Sequence, residues 1–182
     1  MTATRSDLPG ARSPGATIEG MIRVDHAGEY GAARIYAGQL AVLGRTGSGD
    51  TLRQMQAQEQ EHLDGFAEMV VRRRVRPTAL LPFWHVVGFA LGAATAAMGE
   101  RVAMACTVAV EEAIDAHYAG QIAALDESEA ELRATIARYR DDELHHRDVA
   151  LAHGARQAPG YRLLTAAIKA GCRMALAVSE RV

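Results

Sequence analysis

Apolar residues recur along this chain at intervals of three and four, the spacing of one helical face, and seldom alternate as they would in a half-buried strand. After Thr51, the residues Leu52, Met55, Phe66, Met69 and Val70 fall on one stripe, and further on Leu132, Ile136, Tyr139 and Ala150 do the same. Read with its punctuation, the pattern predicts six helices, over about residues 17–43, 51–73, 82–98, 100–125, 128–153 and 161–179. A glycine-rich loop over 44–50 separates the first two. An arginine-rich run ending at Pro77 closes the second, and Gly154 and Pro159 punctuate the last junction. The fold class is all-α.

The pattern also repeats. Tyr36-Ala37-Gly38-Gln39-Leu40-Ala41-Val42-Leu43 returns as Tyr118-Ala119-Gly120-Gln121-Ile122-Ala123-Ala124-Leu125, 82 residues later. A glutamate stands seven residues before each tyrosine, Glu29 and Glu111, and a Glu-x-x-His follows each, Glu59 with His62 and Glu143 with His146. The chain therefore reads as two similar helical hairpins joined by the helix over 82–98, with four helices forming a bundle and one or two apolar helices added to it. One tension is the first loop, because Glu59 lies closer to the start of its helix than Glu29 does to the end of its own.

These polar residues lie on apolar stripes. Glu59 and His62 fall between Met55 and Phe66, Glu143 and His146 between Tyr139 and Ala150. Glu111 lies among Met104, Val108, Tyr118 and Leu125, and Glu29 in line with Ile22, Tyr36, Leu40 and Leu43. Four carboxylates turned into one core are costly unless paired, protonated or bound to cations. Residues three apart on a helix share a face, so each Glu-x-x-His pair can serve one metal, and two divalent ions balance four carboxylates. Oxygen and imidazole donors suit iron or manganese, and two Glu residues with two Glu-x-x-His pairs are the ligand set of di-iron bundles. Glu29, Glu59, His62, Glu111, Glu143 and His146 are therefore the candidate metal ligands; the competing reading is a buried salt-bridge network.

Other polar residues change the picture less. Glu61, Glu68, Glu112, Asp141 and Asp142 read as solvated faces or as partners behind the ligands, and His145 lies off the face of His146. His26 is divided between packing and a place behind the ligands, and His85 and His153 have no partner in the pattern. His117 breaks the repeat, since Ile35 is its counterpart; it places a polar group near the second metal face. Tyr36 and Tyr118 are core aromatics whose hydroxyls need partners, and beside iron they would tune it or carry an electron.

At 182 residues the chain fits one domain with a real core, and a net charge of -2 gives no reason to expect a nucleic-acid partner. Cys106 and Cys172 read as reduced core residues. Residues 1–16, rich in Ser, Thr, Gly, Pro and Arg without an apolar segment, read as a disordered tail ahead of a domain over 17–182. The apolar run over 80–98 reaches the lower edge of spanning length, but its glycines, alanines and Pro82 argue against a transmembrane helix. Behind Arg72, Arg73, Arg74 and Arg76, and with the last helix, it is a candidate anchor to a membrane surface; the plainer reading is that both helices cover the bundle.

At this point several strings carry a resemblance. Arg23-Val24-Asp25-His26-Ala27-Gly28-Glu29-Tyr30-Gly31-Ala32, Gln58-Glu59-Gln60-Glu61-His62-Leu63, Cys106-Thr107-Val108-Ala109-Val110-Glu111-Glu112 and Asp142-Glu143-Leu144-His145-His146 are similar to those of the demethoxyubiquinone hydroxylases of ubiquinone biosynthesis. So are Arg74-Val75-Arg76-Pro77-Thr78, Gly88-Phe89-Ala90-Leu91-Gly92 and Ala170-Gly171-Cys172-Arg173, so the resemblance covers about residues 18–182. It implies a ferritin-like, membrane-associated di-iron mono-oxygenase. Such an enzyme places one atom of O₂ on the ring of a polyprenyl demethoxyubiquinone to give demethylubiquinone.

Carried over by position, the resemblance gives one iron Glu29, Glu59 and His62 and the other Glu111, Glu143 and His146, with Glu59 and Glu143 bridging. His117 and Tyr118 match the family's His-Tyr pair and are the expected catalytic residues. The polyprenyl quinone is the implied substrate, met at the surface of a bacterial inner membrane from its cytoplasmic side. Partner proteins of ubiquinone biosynthesis and a homo-oligomer are also admitted. NADH is a candidate reductant, although no dinucleotide fingerprint occurs. The segment between the fourth and fifth helices is shorter than in eukaryotic members and no mitochondrial leader is evident, which fits a bacterial origin. The competing function is a ferritin- or rubrerythrin-like iron-binding or peroxide-scavenging protein, which uses the same ligands without needing the helix over 82–98. A metal-free structural or lipid-binding bundle would leave six converging ligands unexplained.

Overall fold

The computed structural model describes residues 14–182, with side chains from residue 17. The expected tail over 1–16 thus falls largely outside the described residues. Six α-helices follow one another: α1 Pro14–Leu43, α2 Gly49–Arg72, α3 Leu81–Ala97, α4 Glu100–Ala124, α5 Ala130–Ala152 and α6 Tyr161–Ser179. No strand occurs among the described residues. The chain has an all-α, ferritin-like fold: α1 and α2 form one hairpin, α4 and α5 the other, with α3 laid along α1 and α6 along α4.

The buried positions of α2 are Leu52, Met55, Glu59, His62, Phe66, Met69 and Val70, after the N-terminal Gly49, and those of α5 are Leu132, Ile136, Tyr139, Glu143, His146 and Ala150. Both are the stripes that the periodicity draws. α4 departs from a one-sided stripe. It is buried without a break from Val102 to Glu111, because α3, α5 and α6 pack around it. α2 begins at Gly49, two residues earlier than its apolar pattern indicates, which adds about 3 Å of helix before Glu59 and eases the mismatch at the first loop. Arg53 ties that loop down by donating from Nη1 to the Gly44 carbonyl at 2.8 Å.

The end of α2 is a Schellman turn: the Val75 amide donates to the Val70 carbonyl at 2.9 Å and the Arg74 amide to that of Val71 at 3.2 Å. Arg74 takes the left-handed position usually given to glycine, with φ of 54°. The arginine cluster is then divided. Arg72 pairs with Glu131 at 2.6 Å and Arg73 with Glu129 at 2.5 Å, fastening α2 to the start of α5, while Arg74 and Arg76 stay exposed.

α3 is buried only at Gly88, Gly92, Thr95 and Ala96. Its glycines let it lie against α1: a Cβ on Gly92 would strike the Ile35 carbonyl, one on Gly88 the Gly31 carbonyl, and one on Gly38 of α1 the Phe89 carbonyl. Its other side leaves Phe83 55% and Val86 65% exposed, and beside it α6 leaves Leu163 79% and Met174 65% exposed. These helices thus cover the bundle on one side and carry apolar side chains on the other. Among the described residues no helix is long and apolar enough to cross a membrane.

Candidate metal centre

Each helix of the bundle turns part of one cluster inward: α1 gives Glu29, α2 Glu59 and His62, α4 Glu111, and α5 Glu143 and His146. All six are at most 2% exposed. They form two overlapping groups, Glu29, Glu59, His62 and Glu143 in one and Glu59, Glu111, Glu143 and His146 in the other, with the donor atoms of each group within 4.8 Å of one another. Glu59 and Glu143 belong to both, so the repeat places a shared carboxylate pair between two terminal ones.

The two hairpins hold one another's ligands. Tyr36 donates its hydroxyl to Glu111 Oε1 at 2.6 Å, and Tyr118 donates to Glu29 Oε1 in a shorter bond. Both imidazoles turn Nδ1 to the cluster, His62 to Glu143 at 3.1 Å and His146 to Glu59 at 3.0 Å. Their outer Nε2 atoms meet Asp142 Oδ2 at 3.1 Å and Gln58 Oε1 at 3.0 Å. Gln121 donates to Asp25 at 2.8 Å, and its repeat counterpart Gln39 donates to Thr107 Oγ1, the counterpart of Asp25, at 3.3 Å.

After these bonds the centre still holds unmet donors. Glu29 Oε2, Glu59 Oε2, Glu111 Oε2 and Glu143 Oε2 are buried without a hydrogen bond, and Glu59 Oε1 and His146 Nδ1 face each other at 3.0 Å without hydrogen-bond geometry. Buried polar atoms are almost always bonded, and a convergent set left unbonded is what a cation site requires. The donor chemistry, four carboxylates and two imidazoles on one core, fits a pair of divalent transition ions.

The electrostatics agree. Burial raises Glu59 and Glu111 well above the ordinary carboxylate range, and the Glu143 charge raises both further. Burial also raises Glu29. Burial pushes Glu143 upward too, but the nearby His146, the hydrogen-bonded His62 and Glu111 outweigh it and hold that carboxyl at about 2. Burial lowers both imidazoles, yet their carboxylate neighbours lift His62 to about 11 and His146 to about 9. Without a cation, then, protons occupy the places the centre offers to metal. Tyr36 and Tyr118, both raised well above 10.0 mainly by burial, remain hydroxyl donors.

The remaining candidates fall as follows. His117 is directed to Asp25 on α1, one turn ahead of Glu29, with Nε2 at 3.1 Å from Oδ1; it therefore lies beside the Glu29 half and not at the second metal face. His26 carries a buried Nδ1 without a hydrogen bond, His85 accepts or donates to the Tyr30 hydroxyl at 2.7 Å, and His153 lies 3.5 Å from Glu100. His145 is exposed, as are Glu61 and Glu68, and Glu112 pairs with Lys169 at 2.7 Å. Gln58, Asp25 and Gln121 carry bonds that no sequence argument named. The signal for Gln58 was its place one residue before Glu59, matched by Asp142 one residue before Glu143.

An apolar cavity of about 480 Å³ lies between α1, α3, α4 and α6. Gly28 and Val110, neighbours in sequence of Glu29 and Glu111, form part of its wall with Ile35, Leu91, Ile168 and Leu176.

The profile of the family described as ubiquinone biosynthesis protein COQ7 matches residues 16–179. A Rhodospirillum rubrum protein named 3-demethoxyubiquinol 3-hydroxylase is 57% identical over 176 residues, covering 96% of this chain and 83% of that one. The human NADPH-dependent 3-demethoxyubiquinone 3-hydroxylase, mitochondrial, is 54% identical over 171 residues, covering 92% and 79%. The mitochondrial 5-demethoxyubiquinone hydroxylase of Saccharomyces cerevisiae is 40% identical over 184 residues, covering 92% and 79%.

Proposed function

The chain belongs to the ubiquinone biosynthesis protein COQ7 family, and from that premise we propose that it is an O₂-dependent 3-demethoxyubiquinol 3-hydroxylase working through a pair of iron ions held in the bundle. The observation that carries this reading is the pair of overlapping Glu/His groups with their unbonded inward oxygens. Glu29 and His62 would hold one iron, Glu111 and His146 the other, with Glu59 and Glu143 shared between them. When bound, the irons would supply the redox chemistry with O₂ that no side chain here possesses.

The chain's own residues supply position and dryness. Tyr36 and Tyr118 fix the terminal carboxylates by donating to one oxygen of each, leaving the other oxygen turned inward. Asp142 and Gln58 fix the imidazole rings from behind. Tyr118 and His117, expected to be catalytic, act in this reading on the Glu29 half: Tyr118 directly through that carboxylate, and His117, whose side chain is 23% exposed, through buried Asp25. The apolar cavity suits a quinone ring with its prenyl tail, and the burial of all six ligands keeps bulk water from the centre. The exposed apolar sides of α3 and α6, with Arg74 and Arg76 near the foot of α3, support a peripheral seat on a bacterial membrane from the cytoplasmic side.

The same apolar features weigh against an iron store or peroxide scavenger, which needs neither. The test supplies a polyprenyl demethoxyquinone in lipid vesicles with O₂ and, in separate reactions, NADH or NADPH. Hydroxylated quinone is expected. Peroxide consumption without any hydroxylated product would instead favour the scavenger.

A further inference from the structure

The two-fold repeat makes the halves of the centre alike in every ligand, yet the atoms behind the ligands differ. We infer that the half built on His62 takes up a divalent metal ahead of the half built on His146; this rests on the paired-metal reading above.

Both rings present Nδ1 inward and Nε2 outward. Both outer partners stand one residue before the shared glutamate of the opposite hairpin, so position is conserved by the repeat and chemistry is not. Behind His62 lies a carboxylate, Asp142; behind His146 lies an amide oxygen, Gln58. An imidazole that donates its outer N–H to an anion becomes a better donor at its inner nitrogen, and the anion adds negative charge beside the cation. A neutral amide oxygen does less of both.

Ring support differs in the same sense. Tyr139 stacks on His62 with centroids 4.0 Å apart and planes at 26°. Gly65 makes room for it, because the Tyr139 hydroxyl occupies the space a Cβ there would fill. The counterpart of Tyr139 in the first hairpin is Met55, and the ring contacts of His146 are longer, to the edge of Tyr36 at 6.1 Å and to His62 at 6.5 Å. His62 is thus held closer to its binding posture before metal arrives, while the terminal pairs Glu29–Tyr118 and Glu111–Tyr36 are matched. A buried carboxylate, Asp25, one turn ahead of Glu29 where the repeat has Thr107, tilts the halves the same way, and at the imidazoles loss of an outer partner typically lowers metal affinity by about 10- to 100-fold.

The experiment adds Zn²⁺, which is redox-silent, stepwise to the metal-free full chain and follows the histidine ring nitrogens by ¹⁵N NMR. The His62 ring should respond during the first equivalent and the His146 ring during the second. Asp142→Asn should make the two respond together by weakening the first step, Asp142→Glu should restore the order, and Gln58→Glu should bring His146 forward, all with helical content unchanged by circular dichroism. Simultaneous response in the native chain, or an order indifferent to Asp142→Asn, overturns the inference while leaving two metals in place. Uptake of fewer than two Zn²⁺ by these rings overturns the paired-metal reading and this inference with it.

Discussion

At the scale of single residues, the centre turns four carboxylates into the core against two imidazoles. That arrangement has a pH signature in the metal-free chain. Glu29, Glu59 and Glu111 are raised from 4.5 by burial, so each costs stability as pH climbs above that value. His62 and His146, raised to about 11 and about 9 by their carboxylate neighbours against burial, give stability that is complete below 6.5 and lost as pH rises through 9 and 11. Glu143 works oppositely, its contribution being lost only as pH falls from 4.5 towards 2. The metal-free protein should therefore lose Tm steadily from pH 6.5 to 9, and metal binding should release protons and tighten over the same range. Melting curves across that range check this; a metal-free Tm that rises with pH would contradict it. The ligands were legible in the sequence because a carboxylate on an apolar stripe is conspicuous. The residues behind them were less so. The sequence leaves Asp142 between a solvated face and a place behind a ligand and gives Gln58 no mark of its own, since a hydrogen bond to a ring on another helix depends on crossing geometry that no one-helix pattern contains.

At the scale of elements, the helix stripes were readable and the crossings were not. The stripes of α2 and α5 follow from periodicity, but the unbroken burial of α4 from Val102 to Glu111 follows from being enclosed by three neighbours. The glycines of α3 looked from sequence like a dilution of its hydrophobicity; in the structure they are where α3 meets the backbone of α1. Filling that contact has a definite cost. Gly92→Val would press a branched Cβ against the Ile35 carbonyl and lift α3 from α1, at about 1–3 kcal/mol for overpacking. Thermal unfolding should fall by several degrees, and quinone turnover should fall further than iron content, because α3 walls the cavity and carries no ligand. Unchanged Tm and turnover would show that α3 tolerates separation from α1. The arginine run taught a related lesson: Arg72 and Arg73 are spent on Glu131 and Glu129 across the bundle, a pairing invisible without knowing that α2 ends beside the start of α5.

At the scale of the whole molecule, a duplicated hairpin yields a duplicated site. The repeat by itself announced a pseudo-symmetric bundle with its ligands in the middle, and each hairpin indeed completes the other: its tyrosine bonds the partner hairpin's terminal glutamate, and its residue before the shared glutamate bonds the partner's histidine. Sequence could place these groups on faces but could not say that they reach across. The added helices break the symmetry by giving one side an apolar cavity and an exposed apolar surface, as a hydroxylase of a prenylated ring requires. All of this depends on cations occupying the centre. The most direct test is iron analysis of the full chain after anaerobic reconstitution and removal of loosely held metal. Two irons per chain are predicted; one or none would contradict the account.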